Sequence, residues 1–223
     1  SLTADGVIEY LPPIATHRYA HTGRMYSLET TQASLLVTDN HKLYAKRRSA
    51  KSYELIEAKE LAGTRYRLKR DGVWHGQSPK TVAMAPLEVK AGQSGRGKRW
   101  LKKLSVPVET YAMILGMFLS KGNTFDSGSS GSGFDITQVK PANRAQLLHA
   151  LREAGLKFNE HSRGTKIRVY SKQWYLHLRQ FGLCWQKYIP PYVFDWSVDT
   201  LRILYTWLMW GDGSVSGNSP VYH

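Results

Sequence analysis

Apolar and polar positions alternate with a period of two over residues 23–48 (GRMYSLETTQASLLVTDNHKLYAKRR), interrupted by Thr-Asp-Asn. That period predicts half-buried strands joined by a turn. Residues 53–61 (YELIEAKEL) suit a short helix, and 64–70 (TRYRLKR) return to alternation before Asp-Gly. The front of the chain therefore reads as β. Residues 90–103 (KAGQSGRGKRWLKK) are glycine-rich and basic, the composition of a linker.

The texture then changes. Residues 111–120 (YAMILGMFLS) form an apolar run long enough for a buried helix. After a Ser/Gly loop (127–133), FDITQV (134–139) predicts a strand, and Pro141 suits the first turn of a helix over PANRAQLLHALREAG. Residues 157–171 predict a hairpin turning near Arg163-Gly164, and KQWYLHLRQFG a helix stopped by Gly182. Pro190-Pro191 impose an extended link. VDTLRILYTWLMWGDGS then supplies a second apolar helix, and VSGNSPVYH a loop entering a strand. Both apolar helices end alike: a small residue, a polar residue, then Gly. The polar residue is Lys121 in the first and Asp212 in the second.

Charge narrows the function. The chain of 223 residues carries 31 Lys and Arg against 17 Asp and Glu, a formal charge of +14. Clustered cations are rewarded by the counterions that a polyanion releases, so nucleic acid is the first partner to consider. Cys184 is the single cysteine, which excludes an internal disulfide and a cysteine-based zinc site. No apolar run reaches the ~18 residues of a membrane helix, and no signal peptide opens the chain. These observations predict an intracellular (cytoplasmic) protein with no membrane partner.

Two apolar helices that end in the same step suggest packing about a pseudo-two-fold axis, with their ends meeting at one spot. Carboxylates there could share divalent metals and cut phosphodiesters. In these features residues 106–223 resemble the LAGLIDADG homing endonucleases, including the αββαββα order between the two motifs. The resemblance implies an α+β DNA-binding saddle in which the last acid of each motif binds Mg²⁺. Asp212 matches that acid; Lys121 replaces it in the first motif, a degenerate position that supplies no ligand oxygen and should impair cleavage. Gly116 stands where the family has its close-packing glycine, but Trp207 holds that place in the second helix. Arg163, Lys166 and Arg168 are candidates for contacts to double-stranded DNA, the last two on one face of a strand. His149, His161 and His177 have no metal-site spacing and read as surface residues.

Thr38 and His41 stand at the end of a strand and in the following turn, where a histidine could protonate an amide nitrogen with the threonine hydroxyl as its orienting partner. With the opening SLTADGVIEY they resemble the N-terminal half of a Hint domain, the self-splicing module of inteins. The resemblance implies that Ser1 is the nucleophile of an N-to-O acyl shift (N-to-S if it replaces a cysteine), assisted by Thr38 and His41 without a cofactor. An endonuclease inserted in a Hint domain is the layout of a large intein. The expected organisation is a mainly β, horseshoe-like Hint part over 1–95, a basic linker over 96–105 and the LAGLIDADG domain over 106–223. The C-terminal parts of both folds are expected to lie beyond His223. The expected partners are a C-terminal intein fragment or remaining chain, the flanking extein polypeptides, and duplex DNA. A LAGLIDADG endonuclease or DNA-binding protein without splicing activity is the alternative.

Overall fold

The computed structural model describes every residue except 4, 31–32, 70, 91–97, 129–130, 162–163, 217–218 and 223. The chain is a mixed α/β protein. Its strands pair antiparallel in small sheets of two to four, none of them closed into a barrel among the described residues. It divides into two compact units, Ser1–Trp74 and His75–His223.

In the first unit, β1 (Met25–Glu29) pairs with β2 (Ser34–Thr38), in the region where alternation predicted strands. A three-stranded sheet follows, with β3 (Lys42–Arg47) between β4 (Glu54–Glu57) and β5 (Tyr66–Leu68). YELIEAKEL is not one helix. Its first half is β4, because Leu55 and Ile56 pair with Tyr44 and Leu43, and only α1 (Ala58–Leu61) is helical. Ala45, Ile56 and Leu61 form a small core, with Leu43, Tyr66 and Leu68 packed against it.

The second unit begins at His75, ahead of the predicted linker. Strand β6 (Thr81–Met84) pairs with β9 (Leu104–Pro107), and β7 (Leu87–Lys90) with β8 (Lys98–Leu101). Residues 98–101, read as linker from their basic composition, are thus strand: Leu101 faces Leu87 and Trp100 faces Glu88 across the ladder.

From β9 the chain turns straight into α2 (Val108–Lys121), which is apolar nearly all round and buries ten of its residues. Such a helix belongs inside a core. It leads into a four-stranded sheet in the order β10 (Gly122–Asp126), β11 (Ser132–Thr137), β13 (Lys166–Tyr170), β12 (Phe158–His161). Helix α3 (Pro141–Glu153), with Pro141 in its first turn, joins β11 to β12, and α4 (Lys172–Leu178) follows β13. Phe134, Ile136, Ile167 and Val169 point from one face of the sheet into the core. Helix α5 (Val198–Asp212) starts at Ser197, whose hydroxyl accepts from Thr200 N, and packs against α2. It runs into a hairpin of β14 (Gly213–Ser216) and β15 (Ser219–Tyr222). No helix among the described residues is long and apolar enough to cross a membrane.

Candidate functional site

The two apolar helices meet where their sequences correspond. A Cβ added to Gly116 would lie 2.9 Å from both Leu204 O and Trp207 Cβ, so the α2 backbone rests on α5 at this point. One turn further on, a Cβ on Gly211 would overlap the hydroxyl and Cβ of Ser120. At the helix ends, Lys121 Nζ forms an ion pair with Asp212 Oδ1. These meetings join residues of equal spacing: 116 with 207, 120 with 211, and 121 with 212. Each residue touches its own counterpart, as residues on a local two-fold axis must.

The exits from the helices match too. Gly122 and Gly213 both leave in extended conformation, each donating its N–H to the carbonyl one turn back, Phe118 O and Met209 O. A Cβ at either would come within 2.6 Å of that residue's Cα, so glycine is required by the close turn and not by a positive φ. Trp207 stands in place of a second packing glycine. The small residue of that half is Gly211, set against Ser120, and the small-polar-Gly step shared by the two helices carried that signal.

The surroundings of Lys121 and Asp212 are basic. Lys187 reaches the C-terminus of α2 and donates to Phe118 O at 2.7 Å and Gly122 O at 2.5 Å. Its ammonium also lies 4.7 Å from the Phe118 ring centre, and burial lowers its pKa, opposed by the nearby Asp212 carboxylate. At the end of α5, Gln138 Nε2 and Asn143 Nδ2 both donate to Trp210 O at 3.1 Å. These side chains close the carbonyls that a helix end leaves open. Lysine cations at the negative ends of helix dipoles are favourable. A divalent cation does not fit this arrangement, because an ammonium already occupies the Asp212 carboxylate and brings positive charge where ligand oxygens would be needed.

The open face of the four-stranded sheet carries the predicted DNA contacts. Lys166 and Arg168 project from the same face of β13, and both turn to the buried carboxylate of Asp135 on β11. Arg168 donates to it from Nε at 2.7 Å and from Nη2 at 2.9 Å. Lys166 Nζ lies 3.8 Å away. The Arg168 guanidinium also stacks 4.3 Å from the Phe125 ring centre, and Phe125 meets Tyr170 edge to face. Arg168 is therefore partly committed to its own sheet. Arg163 lies outside the described residues.

His177 is not a surface residue, as its spacing in the sequence had suggested. It is half-buried, and its Nε2 lies 2.7 Å from Tyr111 OH, which in turn lies 2.7 Å from Tyr192 OH. Burial lowers the pKa of His177 and raises those of both tyrosines. The signal was periodic: Trp174, His177, Leu178 and Phe181 recur at the spacing of a helix's inner face. His149 is exposed.

In the first unit, the Ser1 ammonium donates to Glu9 O at 2.6 Å, and Glu9 N returns a bond to Ser1 O at 2.8 Å. Thr38 and His41 close a turn through His41 N to Thr38 O at 3.1 Å. That turn is anchored where Ala58 N donates to His41 O. The Thr38 hydroxyl donates to Asn40 Oδ1 at 2.8 Å, so it does not orient the imidazole as expected. Among the described residues, no hydrogen bond joins Ser1 to Thr38 or His41.

The fold and site thus define a two-unit protein of mixed helices and antiparallel strands with a pseudo-symmetric helix pair, and no family model matches it. Two relatives align along nearly all of it. An ATP-dependent Clp protease proteolytic subunit of Chlamydomonas moewusii is 25% identical over 98% of this chain and 22% of its own length. A DNA-directed RNA polymerase subunit beta C-terminal section of Stigeoclonium helveticum is 24% identical over 92% of this chain and 20% of its own. The chain spans about a fifth of the length of these relatives. No solved structure matches.

Proposed function

We propose that this chain is part of an intein, a self-splicing protein element, that carries a LAGLIDADG-type DNA endonuclease module with an impaired cutting site. The observation that carries the reading is the pairing of relatives. Nearly the whole chain aligns with about a fifth of two proteins whose names share no function. A segment common to otherwise unrelated proteins is the distribution expected of an element that resides in different hosts. The helix pair supports the endonuclease half of the reading. Counterpart residues meet on an axis at the mouth of a sheet whose open face bears Lys166 and Arg168, and the position of the first acid is held by Lys121.

In this reading Ser1 Oγ attacks the carbonyl carbon of the residue before it. The peptide C–N bond breaks, an ester forms as the Oγ–H proton is released to solvent, and the Ser1 nitrogen gains a proton as it leaves. His41 supplies that proton, and Thr38 shapes the turn that holds it. No step passes through Asp212, because its ion pair with Lys121 leaves no place for a metal.

The test is a precursor with a short peptide fused before Ser1, supplied with the polypeptide that completes the splicing fold. Mass spectrometry should find cleaved or ligated products, faster with Ser1→Cys and at least ~10-fold slower with His41→Ala. Splicing at an unchanged rate in the His41→Ala precursor refutes the role of this histidine. A second reading, a DNA-binding protein that does not splice, is favoured by one observation: the Thr38 hydroxyl donates to Asn40 Oδ1 and so is not the orienting partner of His41. That reading predicts salt-sensitive duplex binding and an intact precursor.

A further inference from the structure

Strand alternation divides the first unit's three-stranded sheet into two unlike faces. Ala45 points into the core with Ile56 and Leu61. On the other face Lys46 stands directly opposite Arg67, and Arg48 and Arg65 continue the two rows just beyond the paired residues. With Arg47 and Tyr66 these four cations line a cleft of about 430 Å³.

Most nearby charges have acid partners. Arg47 Nη2 meets Glu60 Oε2 at 2.9 Å, and Lys69 Nζ meets Asp71 Oδ1 at 3.1 Å. Among the described residues no carboxylate forms an ion pair with Lys46, Arg48, Arg65 or Arg67. Like charges set opposite one another across a ladder destabilise a sheet, so folding alone gives no reason to gather them. An anionic ligand would turn that repulsion into attraction. The cations come in two rows, spaced ~6.7 Å along each strand and ~4.8 Å across, a pattern suited to a line of anions more than to one small ion. Arginine forks match phosphate oxygens in pairs. Beside the rows lies Tyr53, with Lys46 and Lys69 each 5.5 Å from its ring centre.

We propose that this face of β3 and β5 is a binding site for the phosphate backbone of duplex DNA, separate from the sheet of the second unit. Duplex DNA is the polyanion that best fits, since it presents one charge per ~1.7 Å of axis. The proposal does not depend on splicing or on cutting: a chain that did neither would still bind through this face.

The experiment uses the full chain and a random-sequence DNA duplex, with affinity measured across a salt series. In Lys46→Gln/Arg48→Gln/Arg65→Gln/Arg67→Gln, the slope of log affinity against log salt should become shallower by about 2–4, at ~0.9 for each phosphate no longer neutralised. The double variant Arg65→Gln/Arg67→Gln should change the slope by about half as much. Melting temperature should hold or rise in both, because repulsion has been removed. Lys166→Gln, made in the other unit, should lower affinity additively with the four-fold change. A slope unchanged in both variants overturns the proposal, as does a clear fall in melting temperature, which would make the charges structural. Unchanged duplex binding with abolished binding of poly-glutamate also overturns it, in favour of an acidic protein partner.

Discussion

Replacing Lys121 with aspartate tests the helix pair directly. In the native chain the Lys121 ammonium pairs with Asp212, the two side chains being 40% and 24% exposed. A pair this open to water contributes ~0.5–1 kcal/mol. The same ammonium sits in the last turn of α2, where a cation gains ~0.3–1 kcal/mol from the helix dipole. Lys121→Met removes both and should cost about 1–1.5 kcal/mol. Lys121→Asp goes further, setting two carboxylates against each other at the negative ends of two helices, and should cost about 2–3 kcal/mol in all. For a chain of this size that is a fall of ~5–10 °C in melting temperature. Thermal denaturation followed by circular dichroism, in EDTA and in millimolar Mg²⁺, separates the terms. Mg²⁺ should recover much of the deficit in Lys121→Asp, where two acids now face one another, and none in Lys121→Met. If Lys121→Asp melts with the parent in EDTA, or if the methionine variant falls as far, the charges at the helix ends do not govern this contact.

Two further outcomes follow from the packing. Gly211→Ala drives a methyl into Ser120 and should cost ~1–3 kcal/mol by overpacking; Ser120→Gly in the same chain should recover part of it, and equal melting of the single and double variants would show that the two residues do not touch. Burial lowers the pKa of His177, so the unfolded chain takes up the proton first as pH falls. Its contribution is therefore complete above the ordinary histidine value of about 6.5 and is lost as pH drops through the lower folded value. His177→Gln should flatten this part of the melting-temperature profile, whereas an identical acid-side fall in both proteins would clear His177 of the effect.

The sequence located what is local. The apolar runs, Pro141 in a first turn and Gly182 at the end of its helical segment all stand where pattern and backbone chemistry put them. It misread segments whose state is decided by distant partners. Leu55 and Ile56 are strand because β3 pairs with them, and Lys98 to Leu101 are strand because β7 does. The same division holds at the site. Lys121 and Asp212 were visible as matched ends of two helices, but their ion pair is a contact that only the packed helices create. Asp135 carries no local signal at all; it matters because β11 and β13 lie side by side and bring Arg168 to it. Lys187 likewise reaches α2 from a distant turn in the chain.

The self-facing geometry of the helix pair has a consequence for partner choice. On such an axis, α2 paired with the α2 of a second copy would set Lys121 against Lys121, and two copies of α5 would set Asp212 against Asp212. Either homotypic match is repelled at the point where the helices come closest. Only the heterotypic match joins opposite charges, and within one chain the two helices are always present at equal number and high local concentration. The Lys121–Asp212 ion pair thus also acts as an orientation key, directing each helix away from its own kind and towards its mate.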